Sequence, residues 1–158
     1  MKSTDLRNSL KGILYPYLES KGFTRDKQLS SLDVVFRKTH GDKLYICEIR
    51  WDKYQRPAFT ISTGYGNITS AMTKWGYASP ADIIANSLEY HCSLNSGTGA
   101  FCHWFTQKNS LWQRILLKGK YRSADEVVSQ CMSLFKEIEI FWESGTLGPH
   151  CHTIPTNR

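Results

Sequence analysis

The chain lacks any apolar run near the roughly 20 residues that cross a bilayer, which excludes a helical membrane span from its reading. Met1 to Arg7 are polar, and no hydrophobic region with a small-residue cleavage site follows them, so no export leader is expected. Cysteine is scarce and odd in number. Cys47, Cys92, Cys102, Cys131 and Cys151 form no Cys-x-x-Cys knuckle; they predict reduced thiols in a cytoplasm rather than a disulfide framework. The glycines Gly64, Gly66, Gly97 and Gly99 are not followed by Gly-Lys-Ser/Thr, and no six-residue dinucleotide fingerprint exists, so they read as turn residues. Internal repeats, low-complexity tracts and a second-domain linker are also missing.

What is there suits one folded domain. Over 158 residues, 41% are hydrophobic and 13% aromatic, enough to build a core and to exclude disorder. Twenty Lys and Arg against fourteen Asp and Glu give a formal charge of +6, which favours acidic partners over basic ones. The excess is spread along the chain, with only short clusters such as Lys118, Lys120 and Arg122, as on an ordinary solvated surface.

Leu6, Leu10, Ile13, Leu14, Tyr17 and Leu18 recur at helical spacing and predict a helix from about Thr4 to Lys21, ended by Gly22. Pro16 inside it removes a hydrogen bond to the Gly12 carbonyl and predicts a kink rather than a break. Strand patterns follow over Ser31 to Thr39, Lys43 to Lys53 and Ala58 to Tyr65, the first two joined at His40-Gly41-Asp42. Tyr45, Cys47, Ile49 and Trp51 share one face of the second strand, while Glu48, Arg50 and Asp52 share the other. The pattern is lost from Gly66 to Ser79; Ser79-Pro80-Ala81-Asp82 then predicts a short helix to about His91. Asn95 to Gly99 reads as a loop and Phe101 to Phe105 as a fourth strand. Ser123-Ala124-Asp125-Glu126 is a capping box opening an amphipathic helix to about Glu143, ended by Gly145.

The expected fold class is therefore α+β: an antiparallel sheet of about four or more strands, packed on one face by the N-terminal and C-terminal helices. Residues 1–145 form the single domain, and 146–158 form a polar, mobile tail.

The arrangement resembles an uncharacterised bacterial family, a domain of unknown function. The matching residues are Leu14, Pro16, Leu18, Gly22, Phe23 and Arg25, then Phe36 and Arg37, then Phe59, Trp112 and the helix from Ser123. It is similar, at the level of architecture, to immunity proteins of bacterial toxin systems. That similarity implies a domain that binds and blocks a toxin domain without catalysis.

Three constellations bear on chemistry. His91-Cys92, Cys102-His103 and His150-Cys151-His152 offer zinc-type ligands, but adjacent residues on strands point apart, and buried thiols with a core histidine explain them more simply. Asp33 and Glu48-Ile49-Arg50 on neighbouring strands are similar to a metal-dependent nuclease arrangement. Arg50, however, cannot lose its proton to act as a base, and cross-strand ion pairing accounts for the same residues. Trp51, Tyr54, Trp75 and Tyr77, interleaved with Arg50, Lys53, Arg56 and Lys74, match the residue types of protein interfaces and of base-stacking surfaces, and equally those of a core.

The reading that follows is a non-enzymatic protein-binding module of bacterial origin, toxin-neutralising if the similarity holds. Its contacts are Arg50, Trp51, Tyr54, Arg56, Trp75 and Tyr77, and no catalytic residue, metal or cofactor is assigned. A protein partner, in that case a toxin domain, is expected, and no membrane. Nucleic acid is the alternative partner, bound or cleaved on the polar sheet face.

Overall fold

A computed structural model describes residues 3–27, 30–98, 104–109, 115 and 121–153. The first helix, α1 (Ser3–Ser20), runs through Pro16 without breaking and ends at Gly22, whose φ of 86° only glycine adopts at little cost. A two-residue strand, β1 (Thr24–Arg25), leads into the meander β2 (Asp33–His40), β3 (Lys43–Trp51) and β4 (Ala58–Asn67). His40 pairs with Lys43, so a two-residue turn with Gly41 at positive φ closes the first hairpin.

Two elements differ from the sequence expectation. Helix α2 (Ile68–Trp75) fills the stretch after Gly66 that showed no pattern; Asn67 caps it by accepting from the Ser70 N–H, and Gly76 ends it. The helix expected from Ser79 to His91 does not form. Ser79 does cap a 3-10 turn at Pro80–Asp82, but a second turn at Ala85–Ser87 follows, and strand β5 (Tyr90–Leu94) begins inside the expected helix. The cause is tertiary. Arg37 takes the carbonyls of Pro80 and Ile83, and the Ala85 N–H goes to Glu48, so the groups a helix would pair internally are committed elsewhere.

Strand β6 (Phe105–Thr106) stands where the fourth strand was expected to end; Phe101, Cys102, His103, Trp112, Lys118 and Lys120 lie outside the described residues. The last helix, α3 (Ala124–Ser144), opens with the expected capping box and closes at Gly145. The segment after it, expected as a mobile tail, contributes strand β7 (Cys151–His152), which pairs with β5. The domain's packing therefore continues past residue 145 to Cys151.

The described strands form one antiparallel seven-stranded sheet in the order β1-β2-β3-β4-β5-β7, with β6 beside the first residues of β4. Its core face is built in rows set by the register. Val34, Ile49, Ile61, Leu94 and Cys151 make one row, Phe36, Cys47, Thr63 and Cys92 the next, and Tyr45, Tyr65 and Tyr90 a third. Helices α1 and α3 cover this face with Leu6, Leu10, Leu14, Leu18, Val128, Cys131, Phe135 and Ile138. Each large apolar side chain so buried contributes roughly 1.5–3 kcal/mol.

The opposite face is not left open along its length. Leu44 and Ile46 are buried there beneath Ala71, Ile83, Ala85 and Leu88, so α2 and the two 3-10 turns form a second, thinner layer. Gly64 and Gly66 permit this approach. A Cβ at Gly64 would stand under 3.0 Å from the Ala85 carbonyl oxygen, and one at Gly66 would meet the Glu89 nitrogen at 3.0 Å. These glycines serve strand-to-layer contact rather than turns.

Candidate functional site

Of the six residues expected to form a contact surface, four sit where β3 turns into β4, Trp75 is the last residue of α2, and Tyr77 follows that helix. Trp51 is a correction: it is 3% exposed, stacks obliquely on Phe59 in the core and is capped by the Arg7 guanidinium 4.7 Å from its ring centre. It has no free surface to offer. Its alternation with Ile49 and Cys47 placed it on the apolar face, which is the signal that decides its burial.

Arg50, Tyr54 and Arg56 are exposed, and one buried residue organises the turn that carries two of them. Asp52 follows the strand directly, with its carboxylate bonded to the loop. It accepts from the Tyr54 N–H at 2.9 Å and from the Arg56 Nε and Nη2 at 3.0 and 2.6 Å. The Arg56 guanidinium holds the Asp52 carboxyl below the usual carboxylate range. The backbone follows this anchor: the Gln55 N–H donates to the Asp52 carbonyl, the Ala58 N–H donates to the Arg56 carbonyl, and Gln55 adopts a φ of 60°. That left-handed conformation costs a non-glycine residue about 1–2 kcal/mol, and the Asp52 bonds hold it in place.

On this turn Tyr54 projects with 68% of its surface exposed. Two cations lie close to its ring, the Lys53 ammonium 4.9 Å and the Arg56 guanidinium 5.4 Å from its centre. The result is an aromatic finger flanked by positive charge, fixed from below by a buried carboxylate. Sequence reading found Tyr54 and Arg56 but took Asp52 for a strand-face residue. An Asp four residues before an Arg, at a strand end, was the available signal.

Trp75 and Tyr77 belong to the second layer. Trp75 is half exposed, its indole N–H donating to the Ser87 carbonyl and the Lys74 ammonium 5.3 Å from its ring centre, while Tyr77 packs against the smaller core.

The nuclease-like set is brought together but is otherwise occupied. Asp33 stands opposite Arg50 and binds its Nε at 2.8 Å. Glu48, on the same face, accepts the Ala85 N–H at 2.8 Å beneath the second layer, and burial raises its carboxyl pKa. The oxygen that accepts the Ala85 N–H is thereby committed to holding the second layer. The zinc-type residues are separated by side. Cys92 and Cys151 face the core, His150 pairs with Glu137 at 2.6 Å, and His91 lies against the Leu88 carbonyl. Among the described residues no three His, Cys, Asp or Glu side chains are arranged to hold a metal ion, and no helix is long and apolar enough to cross a membrane.

No family model, curated protein or solved structure matches the chain.

Proposed function

We propose that this chain is a non-enzymatic protein-binding module, of the toxin-neutralising kind that bacterial immunity proteins represent, and that the β3–β4 turn is its contact point. The observation that carries the reading is the Tyr54 finger: an exposed aromatic close to Lys53 and Arg56, held in one conformation by Asp52. Tyr and Arg are enriched among the residues that dominate interface energies, and a turn ordered before binding loses little entropy on docking. The flanking cations and the net charge of +6 fit an acidic partner surface. Arg50 extends the same exposed edge through its pair with Asp33.

Affinity capture from the producing cell's lysate tests this, with nuclease-treated and untreated samples and a Tyr54→Ala/Arg56→Ala variant beside wild type. The expected result is one protein retained after nuclease, lost with the variant, and bound by the purified chain in a fixed ratio. Nucleic acid retained instead, with binding that falls steeply as salt rises, would replace this reading with the alternative.

A further inference from the structure

Four of the five cysteines lie in one region of the core. Cys47 and Cys92 share a row across the sheet with Thr63 between them, and Cys131 of α3 packs into the same cluster. Strand β7 adds the fourth: Cys151 stands opposite Leu94, on the same face as Cys92 two residues earlier. All four are free thiols and buried. Cys151 differs from the other three in what holds it. Strand β7 is two residues long, paired at Ser93–His152 and Leu94–Cys151; among the described residues the Cys151 N–H donates to the Gly148 carbonyl, the Asn95 N–H to the His150 carbonyl, and the His150 N–H to the Glu137 carboxylate.

We propose that Cys92 and Cys151 form a reversible oxidation site, closing a disulfide that staples β7 to β5 when the chain meets a peroxide. The two residues are diagonal neighbours, a placement that sets Cα atoms about 7–8 Å apart, while a disulfide spans about 5.5–6 Å. A movement of β7 by roughly 1–2.5 Å closes the gap, and a strand only two residues long makes that movement at small cost. The same local opening admits the oxidant.

The order of events follows from the thiols' contact. The Cys92 thiol donates to the Cys151 sulfur, which lowers the Cys151 pKa and raises that of Cys92. Cys151 is therefore the thiol of the pair that ionises more readily. Its sulfur attacks one peroxide oxygen, the O–O bond breaks, a sulfenic acid forms, and the released hydroxide takes a proton to leave as water. The Cys92 sulfur then attacks the sulfenic sulfur; the S–O bond breaks, the Cys92 proton goes to the departing hydroxide, and a second water leaves. Two thiols are oxidised to one disulfide, and one hydrogen peroxide is reduced to two waters.

The folded full-length chain, treated with a slight excess of hydrogen peroxide, alkylated and mapped by mass spectrometry without reduction, tests the proposal. The expected product is a Cys92–Cys151-linked peptide that dithiothreitol reverses, with a melting temperature raised by roughly 5 °C or more because a long loop is closed. In Cys92→Ala, peroxide raised to several equivalents carries Cys151 to its sulfinic acid, since the thiol paired with it is gone. Both thiols recovered alkylated after peroxide, or links that run instead through Cys47, Cys102 or Cys131 or only between chains, would overturn it. The wild-type linkage map decides the matter even if the alanine variant does not fold.

Discussion

Replacing Asp52 with alanine removes the anchor of the β3–β4 turn without touching any exposed side chain. The wild-type carboxylate accepts the Tyr54 N–H at 2.9 Å and a bidentate contact from Arg56; its approach to the Arg56 N–H, at 3.4 Å, is too long to count for much. A hydrogen bond to a charged acceptor contributes about 1.5–3 kcal/mol. The Arg56 side chain is 66% exposed, so the ion pair is screened and adds little. Asp52→Ala is therefore expected to cost about 1.5–3 kcal/mol, read as a lower urea midpoint with an unchanged slope. Asp52→Asn keeps an acceptor for the Tyr54 N–H and is expected to cost less.

The pH dependence gives a second check on the same residue. Because the folded Asp52 pKa is lowered, its stabilisation is present above the unfolded carboxyl value of about 4 and is lost as pH falls through the folded value. The gap between wild type and Asp52→Ala should hold from pH 7 to about pH 4 and narrow below it. A cost under about 0.5 kcal/mol at pH 7 would refute the anchoring role, as would a gap that does not change in acid.

Gly64→Ala places a methyl group against the Ala85 carbonyl and the Tyr90 carbonyl oxygen, all backbone that cannot rotate away. It is expected to destabilise by about 2–4 kcal/mol, a fall in melting temperature of roughly 5–15 °C by calorimetry, and a shift within 1 °C or so would show that the second layer does not pack there. Glu48→Gln tests the buried carboxylate. Burial raises the Glu48 pKa, so its ionised form weakens the fold above that pKa and not below the unfolded value; the amide keeps an oxygen for the Ala85 N–H. The variant should match or exceed wild type by up to about 1 kcal/mol at pH 8 and show no advantage at pH 4, whereas a clear loss at pH 8 would contradict the assignment.

Local signals carried the elements that local bonds decide. The capping box at Ser123, Gly145 after α3 and the apolar alternation of β3 are complete within a few residues, and each reappears in the structure. Helix α2 was within reach too, since Ile68, Ala71, Met72 and Trp75 have helical spacing after Asn67; an exposed, short helix simply shows few apolar positions. The segment from Ser79 was not legible. Its capping serine is real, but Arg37 and Glu48, roughly 40 residues earlier in the chain, claim its carbonyls and N–H groups. The pairing of β7 with β5 is equally non-local, joining residues on either side of α3.

The contact surface divides along the same line. Tyr54 and Arg56 are exposed because a turn exposes them, which turn chemistry foretells; Trp51 is lost to the core because strand alternation outweighs its residue type. Asp52 was legible as a charge but not as an anchor, since its partners depend on how the chain reverses after the strand.

The most direct test of the central claim is calorimetric titration of the captured partner into wild type and Tyr54→Ala, at matched salt and with folding of both checked by circular dichroism. The account predicts that Kd rises about tenfold or more, the loss of roughly 1.4 kcal/mol or greater expected of a central interface aromatic. An affinity unchanged by Tyr54→Ala would contradict it and place the contact surface elsewhere on the chain.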